Sequence, residues 1–353
     1  MKDQNLVNNV RIIDPHIHLW NPYENPKQVS PLVKAFGKFP WLLDKVARLV
    51  FPKAAVDFVG NPHFIFNPHL PETFHKDSGK YNIEGYVHIQ AGWEGKKPFN
   101  GIGETEWLMT LKDKPMAIIG EAHLHDVDNL DAVLDAHAKA SPLFKGVRDM
   151  LAIHPNKGVL DFNESGDMLK SNDFQKGYAR LGERNLTFDA FLYSHQLQDF
   201  IKLVKNVPQT RVVLDHVGTP IALGGEYGKV GKTLQERDSI QKQWYEDLAQ
   251  LAEVPHVQLK LSGLLMTLCG FQFEKRETPA SLNEVLDAIG PHIEYALNTF
   301  GVDRCMFASN FPMDKVSTNY ETLYDAYFKI VENYTIEDQQ KLFADNALAF
   351  YQI

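Results

Sequence analysis

The chain has 353 residues and only two cysteines, Cys269 and Cys305. Two thiols that far apart provide neither a disulfide framework nor a thiolate metal site. We therefore expect both to be buried free thiols, and we expect the protein to work in the reducing environment of the cytoplasm.

The sequence also lacks any basic run and any long apolar run. Its formal net charge is −9, from 45 acidic and 36 basic side chains. No face rich in lysine or arginine stands out, which argues against nucleic acid as a partner. No segment is long enough to span a bilayer, and residues 1–10 have no apolar core of the kind that a signal peptide needs. We expect a small-molecule partner and no membrane association, and we leave a homo-oligomer open.

The chain does contain eight short β-rich runs that alternate with segments of helical periodicity. No low-complexity segment or flexible linker marks a boundary, so residues 1–353 are expected to form one domain. Several runs are almost wholly apolar, as in a parallel sheet that is covered on both faces. The predicted strands are Arg11–Asp14, Ile83–Gln90, Met116–Glu121, Lys145–Met150, Thr187–Tyr193, Arg211–Asp215, Val257–Ser262 and Cys305–Ser309.

Amphipathic segments separate these runs. The apolar residues of Leu197–Val204 fall on one helical face, and Thr335 is a suitable N-cap for the last helix. Eight β/α alternations predict an α/β protein with a (β/α)₈ TIM-barrel fold, whose usual size is roughly 250 residues.

The surplus length is concentrated between residues 21 and 82, directly after strand 1. This insertion contains eight prolines and one helical patch, Trp41–Phe51. A first βα loop of this length would overhang the C-terminal mouth of a barrel, which favours a lid or a specificity loop. A dimerisation arm or plain decoration explains the same composition equally well.

Active sites of such barrels lie at the carboxyl ends of the strands, so the polar residues found there are the candidates. His16 and His18 are two residues apart in an extended segment, and their side chains therefore project to the same side. Together with His216 they offer ligands for one divalent ion such as Zn²⁺ or Mn²⁺. The other candidate site residues are Glu121, Arg148, Tyr193, His195, Lys260, Asn310 and Asp314.

Four of these candidates have a specific physical interpretation. Arg148 can hold a substrate carboxylate through two parallel hydrogen bonds. Lys260 lies within an apolar strand and must reach the solvent-filled mouth or a partner charge, because burying an unpaired charge is unfavourable. Tyr193 can stack on a substrate ring or pack in the core, and His195 can serve the site or cap the following helix.

Seven motifs follow one another along nearly the whole chain. They are IDPHIHLW at 13–20, GYVHIQA at 85–91, GVRDM at 146–150, FDAFLYSHQL at 188–197, VLDHVG at 213–218, KLSG at 260–263 and RCMFASNFP at 304–312. This ordered set resembles the amidohydrolase superfamily, in particular the amidohydrolase-2 branch that contains fuconolactonase and 2-pyrone-4,6-dicarboxylate lactonase.

The resemblance implies a barrel that hydrolyses a cyclic ester with an activated water. His16 and His18 would be the strand-one pair, His216 the strand-six histidine, and Arg148 a contact to the substrate's carboxylate. Members of the branch differ in metal use: some hold one divalent ion, and others polarise the carbonyl with histidines and arginine alone.

One position departs from the pattern of the superfamily. Its strand-eight position usually carries an aspartate that takes the proton from the attacking water, whereas this chain has Asn310. A carboxamide has no useful basicity and cannot be a general base. The base is therefore left among Asp314, Glu121, His195 and His216, with a histidine ranked first because its ordinary pKa lies near the working pH.

The sequence thus predicts a hydrolase of the lactonase type, acting on a small lactone that bears a carboxylate and comes from sugar-acid or aromatic catabolism. Two alternatives remain. One is a metal-dependent decarboxylase of the same superfamily, and the other is a catalytically weak barrel that binds a ligand.

Overall fold

The structure is a computed structural model that describes residues 10–163 and 167–353. Eight parallel strands form one sheet in sequence order, and the first and last strands meet. The peptide N–H of His18 donates to the carbonyl of Phe311 at 2.9 Å, and that of Asn310 to the carbonyl of His16 at 3.0 Å. The predicted (β/α)₈ barrel is confirmed. Its strands are β1 (Ile12–Ile17), β2 (Ile83–Ile89), β3 (Ala117–Glu121), β4 (Phe144–Arg148), β5 (Thr187–Ala190), β6 (Arg211–Leu214), β7 (Val257–Leu261) and β8 (Cys305–Phe307).

An outer layer of helices covers the sheet from β2 onward. Outward-facing apolar side chains of the strands share one large core with these helices. Inward-facing ones form a second cluster inside the barrel, and the strands are therefore apolar on both faces. These helices are α6 (Ile102–Thr110), α7 (Val127–Ala140), α8 (Asn172–Glu183), α9 (Leu197–Asn206), α10 (Leu234–Ala252), α11 (Leu282–Phe300) and α12 (Tyr320–Ile330). None of the helices in the described ranges is long and apolar enough to cross a membrane.

The insertion at residues 21–82 contains five helices. The predicted helical patch is confirmed as one of them, but the other four were not predicted, because prolines were interpreted as loop residues. Three of the helices instead have proline in their first two positions, where its missing N–H has no helical partner to lose. The five are α1 (Ser30–Phe36), α2 (Pro40–Val50), α3 (Lys53–Val59), α4 (His63–Phe66) and α5 (Pro71–Ser78).

Two strand ends that position the site differ from the prediction. β1 continues to Ile17 instead of ending at Asp14, with all six side chains buried. Its pairing with β2 shifts register between Asp14 and Ile17, and such an irregularity accommodates Pro15. β5 ends at Ala190 rather than Tyr193. The alternation of side chains along a strand therefore does not predict the direction of the Tyr193 side chain.

The C-terminal segment closes the end of the barrel where the strands begin. Thr335 caps α13 (Ile336–Gln340) as predicted, by accepting from the N–H of Asp338 at 3.1 Å. A π-helical turn and α14 (Asn346–Tyr351) follow. Apolar residues of this segment pack on inward-facing side chains of the strands.

Candidate active site

A cavity of about 730 Å³ opens at the carboxyl ends of the strands. Its lining includes His18, Gln90, Arg148, His216 and Asn310, which follow or end five different strands. This is the place at which a barrel of this type holds its active site. The insertion lines the mouth of the same cavity with residues of α3 and of the loop before α1.

A fully buried group of charges lies directly below the cavity. The ammonium of Lys260 contacts a carboxylate oxygen of Asp189, lies 3.1 Å from Oδ1 of Asp215, and lies 3.1 Å from Nδ1 of His16. Nδ1 of His16 is also 3.3 Å from Oδ1 of Asp215. Lys260 therefore meets partner charges rather than the mouth, which is one of the two outcomes expected for it.

Arg148 separates this buried group from the cavity. One terminal nitrogen lies 3.5 Å from Nε2 of His16 and 3.9 Å from Oδ2 of Asp215, and the other donates to the carbonyl of Gln90 at 2.6 Å. Burial lowers the pKa of Arg148, but a guanidinium stays charged in proteins. Its Nε is buried and has no hydrogen-bond partner among the described residues.

The three histidines of the site are neutral at pH 7. Burial lowers the pKa of His16 and of His18 well below the ordinary value and that of His216 to about 3. Nδ1 of His18 lies 2.9 Å from the carbonyl oxygen of Ile89. Because a carbonyl can only accept, Nδ1 of His18 carries the proton and Nε2 carries the lone pair.

His216 is held by the two loops that follow β6 and β7. Its Nδ1 lies 2.9 Å from Oγ of Ser262, and its backbone has a φ of 54° in the left-handed region. The neighbouring Gly263 has a φ of +68°, and a Cβ built there would lie 2.4 Å from Cγ of His216. Only glycine fits under this ring, which explains one position of the KLSG motif.

The donor set for a divalent ion is His16, Asp215 and His216, whose ligand atoms all lie within 4.8 Å of one another. Imidazole and carboxylate donors suit Zn²⁺, so these residues fit the ion. The predicted set had His18 in place of Asp215. Asp215 was missed because strand alternation would direct it away from His216, whereas the left-handed backbone after Leu214 breaks that alternation. The guanidinium of Arg148 and the ammonium of Lys260 lie beside two of these ligands, which weakens the retention of a cation.

Asn310 lines the cavity, and Asp314 lies behind it. The amide nitrogen of Asn310 donates to Oδ1 of Asp314 at 3.0 Å, which leaves its own oxygen as the acceptor for a ligand. Burial raises the pKa of Asp314 to about 7. Asp314 is not among the described residues that line the cavity, so it can act on a substrate only through Asn310.

Two further predicted site residues do not reach the cavity formed by the described residues. The hydroxyl of Tyr193 donates to the carbonyl of Leu160 at 2.7 Å, and its ring packs in the core. β5 ends three residues earlier, and Phe191 lines the cavity instead. His195 lies in an exposed turn with its ring 4.9 Å from that of His154. Glu121 does line the cavity and accepts from the amide of Asn100 at 2.9 Å.

A cavity residue that was not among the predicted site residues is His123, two positions after Glu121. Its Nδ1 lies 3.5 Å from Oδ1 of Asp149, and its Nε2 lies 3.7 Å from Oε1 of Glu121. The hydrogen bond to Asp149 raises the pKa of His123. The signal in the sequence was its place just beyond β3, on the same side as Glu121 by the period of an extended chain.

Comparison with known proteins finds relatives in sequence and solved structures of similar fold. The uncharacterized protein y4mH of Sinorhizobium fredii is 30% identical over 350 residues, which are 98% of this chain and 100% of that protein. An L-fucono-1,5-lactonase of Burkholderia ambifaria is 22% identical over 256 residues, 71% of this chain and 76% of the lactonase. The crystal structure of an amidohydrolase from Burkholderia multivorans with bound Zn superposes with a TM-score of 0.69 at 20% identity, over 97% of this chain and 99% of that one.

The family model described as Amidohydrolase matches residues 13–353. That range begins at the second residue of β1 and contains the rest of the barrel together with every residue of the site. The chain therefore belongs to the amidohydrolase family.

Proposed function

We propose that the protein hydrolyses a small lactone bearing a carboxylate, by attack of water on the ring carbonyl. The observation that carries this proposal is Arg148, a guanidinium that lines the cavity floor together with His18 and His216. A cation beside neutral histidines is suited to an anionic substrate whose carbonyl reacts with water. The likeness to an L-fucono-1,5-lactonase supports the same reaction.

In this proposal His18 accepts the proton of the attacking water. Its Nδ1–H is engaged by Ile89, so the lone pair on Nε2 is the only basic position of the ring. The water oxygen bonds to the carbonyl carbon, and its proton moves to Nε2 of His18. The ring C–O bond then breaks, and the leaving oxygen takes the proton back from the imidazolium. The product is the open-chain hydroxy acid, and His18 is regenerated.

Arg148 and His216 bind the substrate. Arg148 holds the carboxylate, and His216 faces the carbonyl oxygen, where negative charge develops during attack. Ser262 fixes the orientation of His216 through Nδ1. A divalent ion held by His16, Asp215 and His216 would supply further polarisation of the carbonyl when bound.

The pH dependence tests the assignment of the base. Burial lowers the pKa of His18 well below its ordinary value of 6.5, so the base stays deprotonated when the pH falls from 8 to below that value. We expect kcat/KM to show no loss with an apparent pKa near 6.5. A loss of activity centred there would point to a solvent-exposed histidine instead.

The reaction itself is tested by proton release from a panel of sugar-acid and pyrone carboxylate lactones. The protein is stripped with chelator and assayed before and after addition of Zn²⁺ or Mn²⁺. Activity that survives stripping assigns the polarisation of the carbonyl to His216, and activity that requires the ion assigns it to the His16–Asp215–His216 set. Carbon dioxide release from aromatic acids without any lactone turnover would replace the proposal by the decarboxylase alternative.

A further inference from the structure

The cavity is larger than a bare monocyclic lactone needs, and its walls differ in character. Its volume of about 730 Å³ lies in the upper part of the range of roughly 300–1,000 Å³ for small-molecule pockets. One part of the lining is an aromatic wall, and another part carries titratable groups. These two parts of the lining therefore restrict the choice of substrate more than the residues around the reacting carbonyl do.

The aromatic wall is formed by Phe58, Phe162 and Phe191, which all line the cavity. The rings meet edge to face, with centroids 5.0 Å apart for Phe58 and Phe162 and 5.3 Å apart for Phe162 and Phe191. The ring of Phe191 is in turn 5.8 Å from the imidazole of His216. The wall thus runs without interruption from the reacting centre to the insertion.

Hydrogen bonds of the backbone hold the three rings in place. The carbonyl of Phe58 accepts from Oγ1 of Thr267 at 2.8 Å, which ties α3 of the insertion to the loop after β7. The N–H of Phe162 donates to the carbonyl of Ala152 at 2.8 Å, and the carbonyl of Phe191 accepts from the N–H of Leu151 at 3.1 Å. A wall that is already ordered costs little entropy when it receives a ligand.

The titratable part of the lining is unsuited to an apolar group. It contains Glu121 and His123, beside Asp149 and Gln90. Covering these groups with hydrocarbon would remove water from them without replacing its hydrogen bonds. The ring of Phe191 lies 5.9 Å from the guanidinium of Arg148, so an apolar substituent of a substrate bound there gains more by packing along the aromatic wall than against these titratable groups.

We propose that the substrate carries an aromatic ring next to its lactone ring, and that this aromatic ring packs on Phe58, Phe162 and Phe191. The inference rests on the proposed lactone hydrolysis and narrows its substrate class from carboxylated lactones to aryl-substituted ones. Edge-to-face packing favours an aromatic guest over an aliphatic chain of the same size.

The test compares a pair of lactone carboxylates that differ only by a phenyl substituent on the lactone ring. We expect kcat/KM to be higher for the phenyl compound by about tenfold or more. In Phe58→Ala and Phe162→Ala this preference falls toward one. Phe64→Ala is the matched control, because Phe64 is half-buried in the same insertion and is not among the described residues that line the cavity; it keeps the preference of the wild type. Thermal melting confirms that each variant is folded.

Binding of 4-phenylbutyrate and butyrate, measured by isothermal titration calorimetry, separates failure of this inference from failure of the proposed function. In one outcome the phenyl acid binds more tightly than butyrate, this difference is lost in Phe58→Ala, and no lactone is hydrolysed. That result would support the aromatic wall as a binding site and contradict the proposed hydrolysis. Equal turnover of both lactones together with equal binding of both acids overturns the inference and leaves the hydrolysis standing.

Discussion

Lys260 is a fully buried cation whose ammonium lies among Asp189, Asp215 and His16. The carboxylates of Asp189 and Asp215 compensate the positive charges of Lys260 and Arg148. Such pairs contribute little net stability relative to apolar side chains, but removal of one member leaves uncompensated charge in the interior.

We therefore expect Lys260→Met to lower the free energy of unfolding by roughly 3–5 kcal/mol, because Asp189 and Asp215 lose their shared partner. Urea denaturation measures this change. Lys202→Met is the control, since Lys202 is exposed and pairs with Asp199 at the surface, and it should change stability by less than about 1 kcal/mol. A loss below about 1 kcal/mol for Lys260→Met would contradict the buried charge network.

Asp314 makes the free energy of unfolding depend on pH in the opposite sense to a carboxylate that is paired with a cation. Burial raises its pKa from 3.8 to about 7, so the folded state binds more protons than the unfolded state between these values. The protonated carboxyl of Asp314 therefore favours the folded state at low pH, and this contribution is lost as the pH rises from 3.8 to about 7. Asp314→Asn has no charge to bury and keeps an oxygen for the amide of Asn310.

Melting experiments between pH 4 and pH 8 test this point. The free energy of unfolding of Asp314→Asn should rise relative to that of the wild type as the pH increases, and the difference should reach roughly 2–4 kcal/mol at pH 8. A difference that does not change with pH would show that Asp314 is not buried in the way described.

At the scale of elements, the loops after β6 and β7 determine where His216 lies. A Cβ at Gly263 would lie 2.4 Å from the ring of His216. Gly263→Ala should therefore displace the imidazole and lower kcat/KM for lactone hydrolysis by about 100-fold, a loss typical when a positioned group moves by an ångström.

Gly290→Ala is the matched control for that substitution. Gly290 lies in α11, and a Cβ built there meets no atom within 4 Å in the described part of the chain. Alanine should leave activity unchanged and change stability by less than about 1 kcal/mol, because the gain from replacing a helical glycine is offset by crowding of the new Cβ against Pro291, which follows directly. Full activity of Gly263→Ala would contradict the close contact between the two loops.

The elements of the barrel could be predicted from the sequence because their pattern is local. Apolar runs bounded by polar residues identify strands, and Thr335 identifies a helix start. The insertion was harder, since proline marks both loops and first helical turns. Its five helices are held by packing between distant segments, such as the bond from Thr267 to Phe58, which no local pattern shows.

Within the site, His18, His216, Arg148, Glu121 and Asn310 were predicted at the cavity because they end or follow strands, and the structure places them there. Tyr193 was misplaced and Asp215 was missed for one reason: in each case the strand ended earlier than expected, and the chain then left the regular alternation. The partners of Lys260 could not be chosen from the sequence, because they come from strands far apart in the chain.

At the scale of the whole molecule, the barrel has two differently closed ends. α14 fills the end where the strands begin, and the hydroxyl of Tyr351 donates to Asp189 at 2.7 Å below the site. The insertion lines the mouth at the other end and adds Phe58 to the aromatic wall. The residues that face the reacting carbonyl therefore lie between the closed end of the barrel and a mouth that is lined partly by the insertion.

The most direct test of the account compares a lactone carboxylate with its neutral methyl ester, using the wild type and Arg148→Gln. We expect the wild type to prefer the carboxylate by roughly 10- to 100-fold in kcat/KM, as is usual for a charge-assisted hydrogen bond, and we expect Arg148→Gln to remove this preference. An equal loss of activity on both compounds would contradict it, because Arg148 would then serve the site without recognising the carboxylate.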